Sequence, residues 1–409
     1  MKKTRHAERA SASRDTVLIN SLQAATWRRL ACKLRFHMWA VLGIVFQDYF
    51  FSSFFCTLHF LECMHVLIYL VVAIPVKLII DTDIGGGGCN DVDDVAALCM
   101  AHALVDRGEA ELLAVVQNSS PIECAGAISV LAHYYSHDDV PIGAYSGAGL
   151  DPRRKPLSYV PDLVSSYDSP IKNTSQVPDA LAVYRKVLAE ADDNSVVISS
   201  IGLLTNLEVL LKSPADAWSP LSGFDLVARK VKLLAVMGGK YPKSGSSGAE
   251  CNLCGCYNGA SAAAAATASK AAAYVFGDGH LPSAVRVIFS GFNVGVQVQS
   301  GGRLSSCAPD TNPCRRAFLD YEGGPNKSRF SWDPLTTLLA VRGVVPSLGI
   351  APCERCDGVN SVDAKTGENT WIAGDKTNQT YITLVDGVKA GDAIDALLCL
   401  PPKVAQCDR

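Results

Sequence analysis

From Val76 onward, short apolar runs that end in polar residues alternate with longer stretches in which apolar residues recur at helical spacing. VKLIIDTD is a run of the first kind, and it leads through glycines into VAALCMAHALVDRG, a stretch of the second. ELLAVVQNSS and PIECAGAISVLAHYYS repeat the pair, SVVISSIGLLTNLEVLLKS holds both halves, and VKLLAVMGGKYP precedes the alanine-rich SAAAAATASKAAAYVF. VRVIFSGFNVG reads as a further strand and turn, and WDPLTTLLAVRG as a helix with Pro334 in its first turn. Alternation of this sort predicts an α/β fold, a mostly parallel open sheet with helices on both faces. Ligands of such sheets bind beyond the carboxyl ends of the strands, where these polar clusters fall. Without any internal repeat, residues 76–409 read as one large domain whose part from about Pro346 is cysteine-bearing and strand-rich.

Residues 1–75 break the plan. The first 36 carry nine Lys and Arg, and an apolar, aromatic-rich region extends from Met38 to Val76. Basic flanks of this kind stay in the cytoplasm, which would place the chain beyond the apolar region outside. Asp48, His59, Glu62 and His65 interrupt the region, leaving Val66–Val76 as its longest clean run. That run of 11 residues is shorter than the roughly 20 of a spanning helix but has the length of a signal-peptide core, with Met64 just before it. The expectation is a basic leader with an export or anchor segment, and a folded domain that is secreted or attached to the membrane through its amino-terminal segment.

Composition narrows the partner. An apolar content of 48% supplies a large core, and a net charge of -3 gives no electrostatic basis for nucleic-acid binding. A small molecule is the expected ligand. Twelve of the 15 cysteines lie from Cys89 onward, and Asn173, Asn326 and Asn378 open N-x-S/T sequons, both in keeping with an oxidising compartment. Cys353 with Cys356, and Cys251, Cys254 and Cys256, have spacings that raise structural zinc. With no histidine nearby and no second C-x2-C at finger or ribbon distance, disulfides or buried thiols are favoured.

The chemistry concentrates in DTDIGGGGCNDVDD, residues 81–94, where Asp81, Asp83, Asp91, Asp93 and Asp94 surround four glycines. A phosphate-cradling loop would end in Lys and Ser or Thr, and acids at both ends repel phosphate. Clustered carboxylates at a strand end suit a hard divalent cation, and the glycines let the chain fold back so that Asp93 and Asp94 face Asp83. The spacing is not that of an EF-hand.

A strand ending in DTD, a glycine turn and a DD opening a helix resemble the inosine-uridine-preferring nucleoside hydrolase family. VVQN (115–118), GLLTNLE (202–208), AVMGG (235–239), AECN (249–252) and SWDPLT (331–336) agree in order, so the resemblance spans roughly residues 76–340. It implies calcium held by Asp83, Asp94, the carbonyl of Thr205 and Asp333, with ribose hydroxyls completing the shell. It implies sugar contacts from Asp93, Asn118, Glu250 and Asn252, with Met237 packed nearby. Asp83 would take a proton from a water that attacks the anomeric carbon, releasing ribose and a free base through an oxocarbenium-like state. A homo-oligomer is compatible with this reading.

The chain departs from the pattern in four places. The glycine turn is longer than the family's, leaving a second register in which Asp91 and Asp93 exchange roles; the DD opening the helix favours Asp93 and Asp94. Trp332 replaces a histidine that protonates the leaving base in many members, and it reads either as a stacking platform, which leans the substrate toward purine nucleosides, or as core packing. Cys251 replaces a phenylalanine, and Ser244 stands where an asparagine is expected. His133, His137 and His280 fall outside every motif and read as surface groups or groups behind the ligands, and Asp81 as a residue orienting the loop. Two other functions remain: a magnesium phosphatase of the haloacid-dehalogenase type, which shares the DxD strand end, and an exported nucleoside-binding protein without activity.

Overall fold

The computed structural model describes residues 74–85, 91–119, 121–147, 150, 159–242, 249–255, 261–351, 353–374, 377–384 and 386–403. Nearly all of the expected leader lies outside these residues, and no helix among them is long and apolar enough to cross a membrane.

The main sheet is built from β1 (Val76–Thr82), β2 (Ala110–Gln117), β3 (Ile142–Ala144), β4 (Val196–Ser200), β5 (Val231–Met237), β6 (Arg286–Ser290), β7 (Asp357–Val362), β8 (Asn369–Ala373) and β9 (Gln379–Tyr381). Its order is β8-β7-β9-β6-β5-β4-β1-β2-β3. Neighbours from β3 to β6 and on to β9 run parallel, as the βα alternation predicts. The cysteine-bearing tail does not stand apart. Its β9 extends the sheet at β6, and β7 and β8 then add antiparallel.

Strands buried on both faces read as continuous apolar runs, and successive side chains still part to opposite sides. In β1, Leu78 and Ile80 enter one hydrophobic core while Ile79 enters the other. The first core receives α1 (Asp93–Asp106), α2 (Cys124–Tyr134), α3 (Tyr159–Ser166) and, from later in the chain, α9 (Pro313–Glu322), α10 (Trp332–Arg342) and α11 (Gly387–Leu398). The second receives α4 (Ala180–Glu190), α5 (Thr205–Lys212), α6 (Gly223–Lys230) and α8 (Ala262–Val275), with Leu253 of the one-turn α7 (Cys251–Cys254). Local signals set several starts: Asp179, Ser222, Ser261, Asn312 and Asp386 each accept a backbone N–H at a helix amino terminus.

Disulfides join Cys99 of α1 to Cys314 of α9, Cys307 to Cys399, and Cys353 to Cys356. The last pairing takes up both sulfurs of the C-x2-C. Of His133, His137 and His280, the first and the last are exposed. His137 instead faces His102, a buried α1 residue that no motif marks, with their Nδ1 atoms 2.9 Å apart and Asp106 behind His137 at 3.3 Å.

Candidate active site

Strand β1 pairs with β2 on one side and β4 on the other, so the order of the sheet reverses around it. In an open α/β sheet the crevice beyond the carboxyl end of such a strand is the natural binding site. The residues there are Asp81, Thr82 and Asp83, and all three are buried.

Asp81 is the hub of the floor. Its carboxylate accepts from Asn118 Nδ2 (2.8 Å), Asn206 Nδ2 (3.0 Å) and the Tyr184 hydroxyl (2.8 Å). Burial outweighs these bonds and pushes its pKa up to about 7. Asn118 spends its carboxamide here: Nδ2 binds Asp81 and Oδ1 accepts the Leu203 amide at 3.0 Å. Its carbonyl accepts the hydroxyl of Thr205, the first residue of α5. The β4–α5 turn therefore lies directly against the end of β1. A Cβ on Gly202 would stand 2.6 Å from the Asp83 nitrogen and 2.7 Å from Asn118 Nδ2, so only glycine fits this approach.

After Asp83 the chain turns at Gly85, whose φ of +70° suits glycine, and the described chain resumes at Asp91. Asp93 and Asp94 open α1, and Asp333 is the second residue of α10. One oxygen from each of these three carboxylates lies within 4.8 Å of the others. Thr82 Oγ1 donates to Asp94, and Asp94 and Asp333 share a side-chain hydrogen bond. Asp93 Oδ2 accepts the backbone N–H groups of Trp332 and Asp333, each at 3.1 Å, which satisfies the amino terminus of α10. Burial first, then mutual repulsion, lifts all three well above the usual carboxylate range: Asp91 and Asp94 act on Asp93, Asp83 on Asp94, and Asp93, Asp94 and Asp83 on Asp333. Asp83 thus joins the cluster electrostatically but stands outside its tightest triple.

Asp91 takes a separate path. Arg329 grips it with Nε at 2.8 and 2.9 Å from the two oxygens and Nη2 at 2.5 Å. The grip comes from KSRFSWDP, a stretch with no local mark of partnership, so sequence reasoning missed Arg329 altogether.

On the far side of β5, Glu250 accepts the Gly239 and Asn252 amides, each at 3.0 Å, and burial raises its pKa to about 7. Asn252 Nδ2 points at the Met237 carbonyl and sulfur, both at 3.1 Å. Asn252 Oδ1, with the hydroxyls of Ser119, Ser200 and Ser290 at or just past strand carboxyl ends, is buried with no hydrogen-bond partner among the described residues. Buried polar atoms in this state call for a polar ligand or water. Trp332 is half-buried; its Nε1 donates to the Phe292 carbonyl, and its ring stacks on Phe292 with centroids 5.5 Å apart. Ser244 lies outside the described residues.

A divalent cation fits this donor set. Five carboxylates, Asp83, Asp91, Asp93, Asp94 and Asp333, are buried together, and Arg329 offsets one charge. Their oxygens are the hard donors that calcium and magnesium prefer, and a cation would relieve the repulsion among them.

Neither a protein-family model nor a curated protein sequence matches the chain. Solved structures do. An inosine-guanosine nucleoside hydrolase is 19% identical with a TM-score of 0.56, the match covering 80% of this chain and 99% of that one. A plant nucleoside hydrolase, the PpNRh1 enzyme, is 18% identical with a TM-score of 0.54, covering 80% of this chain and 100% of that one. The type III effector protein XopQ, complexed with adenosine diphosphate ribose, is 16% identical with a TM-score of 0.53, covering 81% and 95%. The fold is that of the nucleoside hydrolases.

Proposed function

We propose that this protein hydrolyses the N-glycosidic bond of ribonucleosides in a calcium-dependent reaction, releasing ribose and free base, with a leaning toward purines. The observation that carries the reading is the buried acid triple at the point where the sheet order reverses, in a fold shared with nucleoside hydrolases. Asp83, Asp94, Asp333 and the Thr205 carbonyl would hold the ion; bound there, calcium supplies a polarised water and an anchor for ribose hydroxyls.

The remaining chemistry belongs to the chain. Asp83 takes the proton of the attacking water. The surplus negative charge around it favours the positive charge that develops on the ribose, as preorganised electrostatics. Asn252 and Glu250 supply acceptors to the sugar, and Asn118 holds the floor under it through Asp81 and Leu203. The Trp332–Phe292 stack offers a flat apolar surface to a base, which supports the purine leaning. The disulfides joining described residues, Cys99–Cys314, Cys307–Cys399 and Cys353–Cys356, support a secreted or membrane-attached protein.

The test is to incubate the purified protein with inosine, guanosine, adenosine and uridine, with calcium or with EDTA, and to measure reducing sugar. Ribose release that needs calcium and vanishes in Asp83→Ala is expected. No ribose from any nucleoside would sink the assignment, phosphate release from sugar phosphates would favour the phosphatase, and nucleoside or ADP-ribose binding without turnover would favour the inactive binder.

A further inference from the structure

We propose that Arg329 is a positioning residue that selects which aspartates of the glycine loop face the cation, by holding Asp91 out of the metal shell. The inference rests on the metal-dependent reading of the site and settles the register that the lengthened loop leaves open.

Three aspartates fall within four residues, Asp91, Asp93 and Asp94, and the charge of Asp91 is felt at Asp93, Asp94 and Asp333. Asp91 is buried at the same end of the sheet two residues before Asp93, and the Arg329 that grips it lies four residues before Asp333. What diverts Asp91 is a two-pronged grip: both carboxylate oxygens are bound by one guanidinium, and Oδ1 also accepts the Val92 amide at 2.7 Å. The Asp91 backbone is pinned as well, its carbonyl accepting the Tyr159 hydroxyl at 2.6 Å. The guanidinium is itself packed, 5.5 to 5.6 Å from the rings of Tyr321, Phe330 and Trp332. Such a fork holds a carboxylate in one orientation, which a lysine ammonium does not.

Placement gives the grip its consequence. Arg329 lies four residues before Asp333, and Asp91 two before Asp93, so one ion pair ties together the two segments that deliver the acid triple. Asp93 completes the tie by capping α10. With Arg329 removed, Asp91 is a buried carboxylate, 5% exposed at its side chain, whose nearest compensation is the cation.

The experiment counts waters on a bound ion by terbium luminescence lifetimes in H2O and D2O, using the full chain, with calcium competition for affinity. Arg329→Ala is expected to lose about one to two waters from terbium as Asp91 enters the shell. Its kcat for inosine should fall by up to about 100-fold from misplaced ligands, with KM changed far less. Combining Arg329→Ala with Asp91→Asn should restore both the wild-type hydration and most of kcat. Unchanged hydration in a folded Arg329→Ala, or no recovery in the double variant, overturns the proposal. If Arg329→Ala does not fold, Arg329→Lys carries the same comparison, since it keeps the charge and loses the fork. Wild-type protein that binds no terbium overturns both this proposal and the metal reading. The hydration comparison decides the role of Arg329 even if no nucleoside is hydrolysed, an outcome that overturns the hydrolase reading alone.

Discussion

Asp94→Asn is expected to stabilise the metal-free protein and to abolish its response to calcium. The oxygens of Asp93, Asp94 and Asp333 lie within 4.8 Å of one another. Two ionised carboxylates at that distance repel by about 3.5 kcal/mol at an effective dielectric of about 20. Asp94 takes part in two of the three pairs, and the protein escapes part of the repulsion by retaining protons. Asparagine keeps the local bonding, because Oδ1 still accepts from Thr82 and Nδ2 donates to Asp333. The gain should be about 2 to 4 kcal/mol at pH 8 in EDTA. Its pH dependence has a definite sign. The folded carboxyls hold protons more tightly than unfolded ones, so the stability they contribute is complete below about pH 4 and is lost as pH rises through their raised folded values. The advantage of the variant should therefore shrink toward pH 4. On the proposed calcium reading, wild-type protein should gain about 2.7 kcal/mol at calcium 100 times its Kd, and the variant almost none. Urea melts at pH 5 and pH 8, in EDTA and in calcium, make the comparison. A variant less stable than wild type at pH 8 in EDTA, or with an undiminished calcium shift, would refute the reasoning.

Asp81→Asn should flatten the fall in metal-free stability between about pH 4 and 7, because Asp81 is held near 7 by burial and its contribution is lost as pH rises through that value; the effect is bounded near 4 kcal/mol, and equal pH slopes for variant and wild type would contradict it. Gly202→Ala should cost about 1 to 3 kcal/mol and most of the ribose release, since its Cβ meets the Asp83 nitrogen and the Asn118 amide; kcat/KM for inosine beside a thermal melt checks this. Replacing both Cys99 and Cys314 by serine should lower stability by about 2 to 5 kcal/mol, read from urea midpoints, because the bridge ties α1 to a helix 215 residues later.

The strands that carry the site were legible because each is an apolar run ending in polar residues, and that pattern survives wherever both faces of a strand are buried. β3, with three residues, offered no run to read. α4 was hidden for a different reason: its apolar spacing in ALAVYRKVLAE is diluted by charges, and Arg185 is buried against Asp216, Ser213 and Leu221. The tail's strands were expected, but their joining the main sheet at β6 depends on pairing across some 90 residues, which no local window contains. At the site, the loop acids and Asp333 were marked by motif. Arg329 was not, because a single basic residue near a strand end signals nothing until its partner 238 residues away is known. Asn118 shows the converse: the resemblance implied a sugar contact, and its carboxamide is engaged with Asp81 and the Leu203 amide.

The cap that Asp93 places on α10 closes a span of 240 residues. Contacts that distant are the slowest for a chain to find, because loop closure must precede any reward from packing. During synthesis from the amino terminus, Asp81, Asp83, Asp93 and Asp94 emerge long before Asp333, so an unfinished chain carries most of the acids with none of the enclosure. On the proposed reading, ion binding would thus mark the moment the segment carrying Asp333 docks, a clock for the completion of folding.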